Sequence, residues 1–389
     1  MRRQLRTILA FFLVSAMALA LSPAKAYAAV PEVSTPLHAG VEVPAPLAIF
    51  GSNIVFGTHR STNSGATWTT DPSLAGPTWA YAGNGKLVGY SSSSSVPSTT
   101  TVVVYTVATG TSQTYPLPSF PGSINDSWVL SATATGYEAY NFITGQTSPL
   151  AGPTNLPVMY SWPRLTPSGG LLWTGYSDSG LVYAVASTPT GVPSDWVAID
   201  DYTYTVSPTQ FVYSHWDGSN AQICTRSLAD FTAASTCVVA WAGLAQWSYS
   251  VSFYNFGATT VADFSNFSGT AFLNRTFSWN GSALKQLTLP TGSAISQPTA
   301  AGYESSYGDT PFLVLRDSTT TVPSVMKVAA NGKLQKGFSL PKTSAAPVNY
   351  LAVAPDRVVG GDTRDGSNWT PSWVRTVSGS DFGAENMLA

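Results

Sequence analysis

Between Val102 and Pro118 the chain reads VVVYTVATGTSQTYPLP: a strand, a Thr109-Gly110 turn, a second strand, and a Leu117-Pro118 stop. Variants of this unit recur. Glu138 to Leu150 is EAYNFITGQTSPL, Phe272 to Pro290 is FLNRTFSWNGSALKQLTLP, and Val325 to Pro341 is VMKVAANGKLQKGFSLP. Turn residues near Gly110, Gly145, Gly191, Asp230, Gly281, Gly332 and Gly379 mark out units of about 45 residues, the length of a four-stranded propeller blade. A unit this small cannot bury both of its faces alone, so neighbours must stack. No other feature limits the fold so strongly.

The expected class is therefore all-β: a single β-propeller of four-stranded blades over residues 47–389. A two-domain chain of sandwiches is the rival and requires the unit-to-unit likeness to be chance. Tyr202–Val206, Phe211–Ser214, Trp247–Phe253 and Thr310–Arg316 read as strands, rich in β-branched and aromatic residues. In the unit before Pro341, the expected strands are Ala300–Tyr303 (innermost), Phe312–Arg316, Val325–Ala329 and Leu334–Leu340. Asn84-Gly85, Asn280-Gly281 and Asn331-Gly332 read as tight turns with positive φ at both centres. Seven units follow Pro77, and the last has a polar end at Phe382–Ala389. Seven blades are expected, with Ala66–Asp71 supplying the missing strand so that the N- and C-terminal segments close the ring together. The alternative is eight blades, with 36–72 as a blade of its own.

The first residues are set apart from the fold. Arg2, Arg3 and Arg6 precede an apolar run from Ile8 to Leu21, and Ala26-Tyr27-Ala28 fits a small-x-small cleavage site. That is the pattern of a secretory signal peptide over residues 1–28, and the run is short for a bilayer span. Residues 29–46 are a Pro-rich extended lead-in. A secreted, extracellular protein is expected, with no transmembrane segment after the leader.

Charged residues are only 10% of the chain, with aromatics at 12%, which argues against disorder. There are 18 Lys and Arg against 20 Asp and Glu, and the leader removes four of those bases. No basic stripe remains for nucleic acid. Cys224 and Cys237 are the only cysteines. In an exported chain they read as a disulfide across a hairpin.

Acidic residues recur just after the second strand of a unit: Asp178, Asp217, Asp263, Asp317, and Asp362 with Asp365. If the strands are cut correctly, these loops share one rim, where propeller ligands often sit. The candidate ligand-binding set is Asp178, His215, Trp216, Asp217, Arg316, Asp317, Asp362 and Asp365, with Arg364 beside them. The bland reading is that Asp, Ser and Gly are what turns are made of. No catalytic dyad stands out: adjacent Asp200 and Asp201 point to opposite faces of a strand. No cofactor is expected. Asp362, Asp365 and Asn368 offer calcium-type oxygens without the spacing of a calcium loop.

Ser61 to Trp68, STNSGATW, resembles the Asp-box of the sialidase-like propellers, Ser-x-Asp-x-Gly-x-Thr-Trp. Ser61, Gly65, Thr67 and Trp68 match, and Asn63 replaces the aspartate. An Asn oxygen can still accept from turn N–H groups. The resemblance implies a propeller and a structural turn away from the active face. It implies no catalysis, because the arginine-led motif of that family's enzymes is absent: Arg60 is followed by Ser61 and Thr62. Two functions follow. One is an exported non-catalytic propeller binding a glycan or an extracellular protein through one rim. The other is a carbohydrate-active enzyme on a sialidase-like scaffold.

Overall fold

The computed structural model describes residues 35–36, 47–92, 100–117 and 121–290 apart from isolated positions and short stretches; from 293 onward it describes strands alone. The architecture is all-β. Eight antiparallel sheets follow one another along these residues, seven of four strands and one of five, each strand pairing with the next in sequence.

Sheet I is Leu47–Phe50, Asn53–Phe56, His59–Ser61 and Thr69–Thr70. Sheet II is Thr78–Gly83, Lys86–Ser92, Thr100–Thr106 and Thr111–Leu117, with Thr35–Pro36 of the lead-in added beside Thr78–Gly83. Sheet III is Ser123–Ile124, Trp128–Thr133, Gly136–Asn141 and Gln146–Pro149. Sheet IV is Tyr160–Leu165, Leu171–Ser177, Gly180–Ala186 and Val197–Ala198. Sheet V is Tyr204–Val206, Gln210–Trp216, Asn220–Ser227 and Thr236–Ala242. Sheet VI is Tyr249–Phe256, Thr259–Asn266, Leu273–Trp279 and Leu284–Leu287. Sheet VII is Ser293–Ile295, Phe312–Asp317, Pro323–Val328 and Leu334–Ser339. Sheet VIII is Tyr350–Ala354, Arg357–Thr363, Trp369–Ser378 and Asp381–Met387.

Sheets II to VI are buried on both sides, which explains their near-continuous apolar strands. Neighbouring residues of a strand point to opposite faces, so Leu172 enters the core between sheets IV and V while Trp173 enters the core between III and IV. Separate apolar clusters fill the seams I–II, II–III, III–IV, IV–V, V–VI and VI–VII. First strands of successive sheets approach each other at II–III, III–IV and V–VI, and Leu47–Phe50 lies beside Tyr350–Ala354 of sheet VIII.

Three expectations are corrected. The strand inside Ala66–Asp71 is Thr69–Thr70, and it pairs with His59 and Arg60 in sheet I, not with the last sheet. Sheet VIII supplies its own fourth strand, since Asp381–Met387 pairs with Trp369–Ser378. A fourth strand is an outer edge, and an edge facing water accepts polar residues. Residues 47–70 thus form a sheet of their own, as in the alternative division of the chain. In sheet VII the first strand is Ser293–Ile295, paired with Leu315–Asp317; Ala300–Tyr303 lies outside the described residues.

The turns divide similarly. Asn84 and Gly85 both have positive φ, 52° and 72°, as a two-residue hairpin turn requires. Asn280 does not. Only Gly281 is positive, at 87°, and the Asn280 Oδ1 accepts from the N–H groups of Ser282 and Ala283. Asn331-Gly332 lies outside the described residues.

Candidate functional site

The acidic positions do not share one environment. Asp178 is exposed in the turn between Leu171–Ser177 and Gly180–Ala186, and Asp217 is exposed in the equivalent turn of sheet V. Asp317 is the last residue of its second strand. Arg316 precedes it in the same strand. Asp362 lies within Arg357–Thr363. Asp365, Arg364 and Asn368 lie outside the described residues, so the calcium reading does too. Among the described residues no group of three or more His, Cys, Asp or Glu could hold a metal ion. Asp263 departs from the expected pattern: it sits inside Thr259–Asn266 rather than after it. Its Oδ1 accepts from the Thr276 hydroxyl at 2.7 Å. Burial pushes its pKa up, against the lowering effect of that bond.

The Asp217 turn is closed on itself. One carboxylate oxygen accepts from the N–H groups of Ser219 and Asn220, at 2.9 and 2.8 Å. The side-chain amides of Asn220 and Gln222 reach the other, at 3.1 and 2.7 Å. These bonds, the Asn220 side chain foremost, hold the Asp217 pKa below the usual carboxylate range. Trp216 donates its indole N–H to the Leu244 carbonyl at 3.0 Å, which ties the turn to the connection into sheet VI. His215 is half-buried in the same strand. Trp216 and Asp217 are therefore structural members of this corner, so replacing them disturbs the turn as well as any ligand.

Two exposed apolar side chains stand at the same end of the next sheet. Phe267 and Leu273 are 50% and 55% exposed; Leu273 pairs with Asn266, the residue before Phe267. Arg275, two residues on, lies 4.4 Å over the buried Trp241 ring.

Sequence reasoning passed over the seam between sheets IV and V. In Tyr160–Leu165, Trp162 pairs with Thr174 and Arg164 with Leu172, so both face sheet V together with Tyr176 and Tyr183. The Trp162 and Tyr176 rings are 6.1 Å apart, inclined at 38°. The Arg164 guanidinium lies 5.9 Å from the Tyr204 ring centroid, the first strand of sheet V. Trp162, Arg164, Tyr176 and Tyr204 are all half-buried. On the same face the Thr174 hydroxyl, 3% exposed, has no hydrogen-bond partner. Pro163 hid this strand, because proline cannot donate to a ladder and weakens a strand reading. It is tolerated on a strand whose other side is unpaired. The every-second-residue pattern Tyr160, Trp162, Arg164 was the available signal.

The remaining singled-out residues are architectural. In the Ser61–Trp68 turn the Asn63 oxygen accepts from the Ser61 hydroxyl and the Thr67 N–H, each at 2.9 Å. Gly65 takes φ 86° and its N–H donates to Ser61 Oγ, and the Trp68 indole N–H donates to the Gly65 carbonyl. Arg60 leaves sheet I to donate to the carbonyls of Val107 and Ala108 in sheet II, both at 3.2 Å. It also pairs with Asp71 at 3.7 Å. Asp71 Oδ2 accepts from the Tyr105 hydroxyl at 2.5 Å. Burial first, then that bond, raises the Tyr105 pKa. Cys224 and Cys237 sit opposite one another on adjacent strands and form a disulfide.

No family model matches the sequence, and no curated protein matches it. Similar solved structures are chains with propeller domains. The β-propeller domain of the Trilobed protease from Pyrococcus furiosus is 8% identical, with a TM-score of 0.43, covering 79% of this chain and 92% of that one. One of two prolyl endopeptidases is 11% identical with a TM-score of 0.44, over 78% and 48%. Puromycin hydrolase is 14% identical with a TM-score of 0.42, over 76% and 51%. The chain spans about half the length of the last two. Those likenesses concern architecture, and they do not extend the sialidase-like resemblance beyond residues 61–68.

Proposed function

We propose that the chain is an exported eight-bladed β-propeller that holds a glycan or protein partner on the end bearing the turns between second and third strands. The observation that carries the binding role is the pair Phe267 and Leu273, each about half exposed at one end of sheet VI, the end where Trp216 is also found. Apolar surface of this kind is a common mark of recognition sites. Eight blades are supported by eight successive sheets and by the approach of Leu47–Phe50 to Tyr350–Ala354. Export is supported by the leader pattern of residues 1–28 and by the disulfide. Among the described residues no helix is long and apolar enough to cross a membrane.

The test is a glycan array and a chemical cross-linking screen on the mature protein, alongside a variant carrying Phe267→Ser and Leu273→Ser. Loss of a ligand by a variant that melts like the parent supports the reading; retention of every ligand overturns it. N-terminal sequencing of the exported protein should begin at Ala29 or Val30.

A glycoside-hydrolase reading has one observation in its favour. Asp263 is a carboxyl group whose pKa is raised by burial, as a general acid needs. Hydrolysis of chromogenic glycosides that disappears in a folded Asp263→Asn variant would establish it.

A further inference from the structure

We propose that the seam between sheets IV and V is a binding site for an acidic glycan, with Trp162 and Tyr176 as the stacking platform and Arg164 as the anion-binding group. This names the ligand class within the binding role proposed above and rests on that reading. Three features of the face point to the same ligand. Trp162 and Tyr176 offer half-buried rings inclined at 38°; aromatic faces take the C–H side of a sugar ring while their edges stay wet. Arg164 sits one alternation along the same strand, on the same face. The contact that the structure gives it is with the Tyr204 ring. A guanidinium with five donors and no ion pair among the described residues is matched by a carboxylate or sulfate, which it can grip with two parallel bonds. Thr174 adds a buried hydroxyl without an acceptor, paired with Trp162 across the ladder.

The ring stack and the cation belong to one ligand because they are spaced by one strand alternation, about 7 Å, the scale of a single sugar ring with its acidic substituent. The chain as a whole is not basic, with 20 acidic against 18 basic residues, so non-specific attraction to polyanions is weak and the local cation decides.

The experiment uses the mature full-length protein in native affinity gels containing polygalacturonate, dextran sulfate or neutral dextran. Retardation by at least one polyanion, and none by dextran, is expected. Polygalacturonate alone identifies a carboxylate ligand; dextran sulfate alone identifies a sulfate. Arg164→Gln and Trp162→Ala should each weaken retardation at least tenfold while melting within a few degrees of the parent, and Arg164→Lys should recover part of the binding. Raising salt should weaken binding of the parent. Failure of both polyanions to retard the parent overturns the proposal. Retardation that survives Arg164→Gln and Trp162→Ala but is lost with Phe267→Ser and Leu273→Ser also overturns it, and leaves the wider binding role standing.

Discussion

The Asp217 turn and the Arg164 seam lie on neighbouring sheets, and both present the residue types expected of a site. They differ in what those residues are already doing. Asp217 accepts from two backbone N–H groups and two side-chain amides, and Trp216 is fastened to Leu244. Among the described residues, Arg164 has the Tyr204 ring and no ion pair with a carboxylate, and the Thr174 hydroxyl has no partner. Residue type marks both regions equally. The hydrogen-bond inventory separates them: one has used its polar groups to build a corner, and in the other the Thr174 hydroxyl makes no bond.

The largest effect tests how firmly sheet V is fixed. Replacing Cys224 and Cys237 by Ala opens the link between its third and fourth strands and should lower stability by about 3 kcal/mol on the loop-entropy model, read as a lower denaturant midpoint. An unchanged midpoint would show that the ladder alone holds the corner.

Thr174→Val comes next and has the opposite sign. Removing a buried hydroxyl without a partner, at nearly constant shape, should stabilise the ligand-free protein by about 1 kcal/mol. A drop of that size instead would mean that the hydroxyl is engaged, and the contrast with Asp217 would collapse.

Two carboxylates give smaller effects that acid separates. Because the folded pKa of Asp217 is lowered, its stabilisation is present above the unfolded carboxylate value and lost as pH falls through the folded one. Asp217→Asn should therefore melt below the parent at neutral pH, with the gap closing in acid. Asp263 has a raised folded pKa, so its burdened charged form appears as pH rises through the range above the unfolded value. Asp263→Asn should melt above the parent at neutral pH, again converging in acid. Gaps of the same sign would refute one of the two assignments.

The smallest effect is on the fold of Arg164→Gln, expected within about 0.5 kcal/mol of the parent. A larger loss would place Arg164 among the structural residues beside Asp217.

The sequence was most informative where one physical rule acts alone. Strand and turn periodicity located the last two strands of sheets II and III, the first two of sheet V and three strands of sheet VI to within a few residues, and an even cysteine pair in a hairpin gave the disulfide. It was less informative where two rules compete. Sheet I was absorbed into a closure scheme because its strands have only four, four, three and two residues, too few for alternation to register. It is held to sheet II by a buried apolar cluster and by Arg60 reaching Val107 and Ala108, contacts that no local pattern encodes. Asp178 and Asp217 were placed in the right turns, yet nothing in one sequence tells a carboxylate that caps a turn from one that awaits a ligand. Trp162 and Arg164 were missed because Pro163 masks the strand that carries them.

Leu47–Phe50 settles beside Tyr350–Ala354, roughly 300 residues further along the chain. Every other neighbouring pair of sheets can dock soon after its second member has been synthesised. This one must wait for almost the entire polypeptide. Contacts of such long sequence separation carry a loop-closure cost before they return anything, and they dominate the slow end of folding rates. Until the last sheet arrives, two sheet faces remain open to water and to other chains. The late docking of sheet VIII beside sheet I is thus the step at which newly made molecules are most exposed to misassembly.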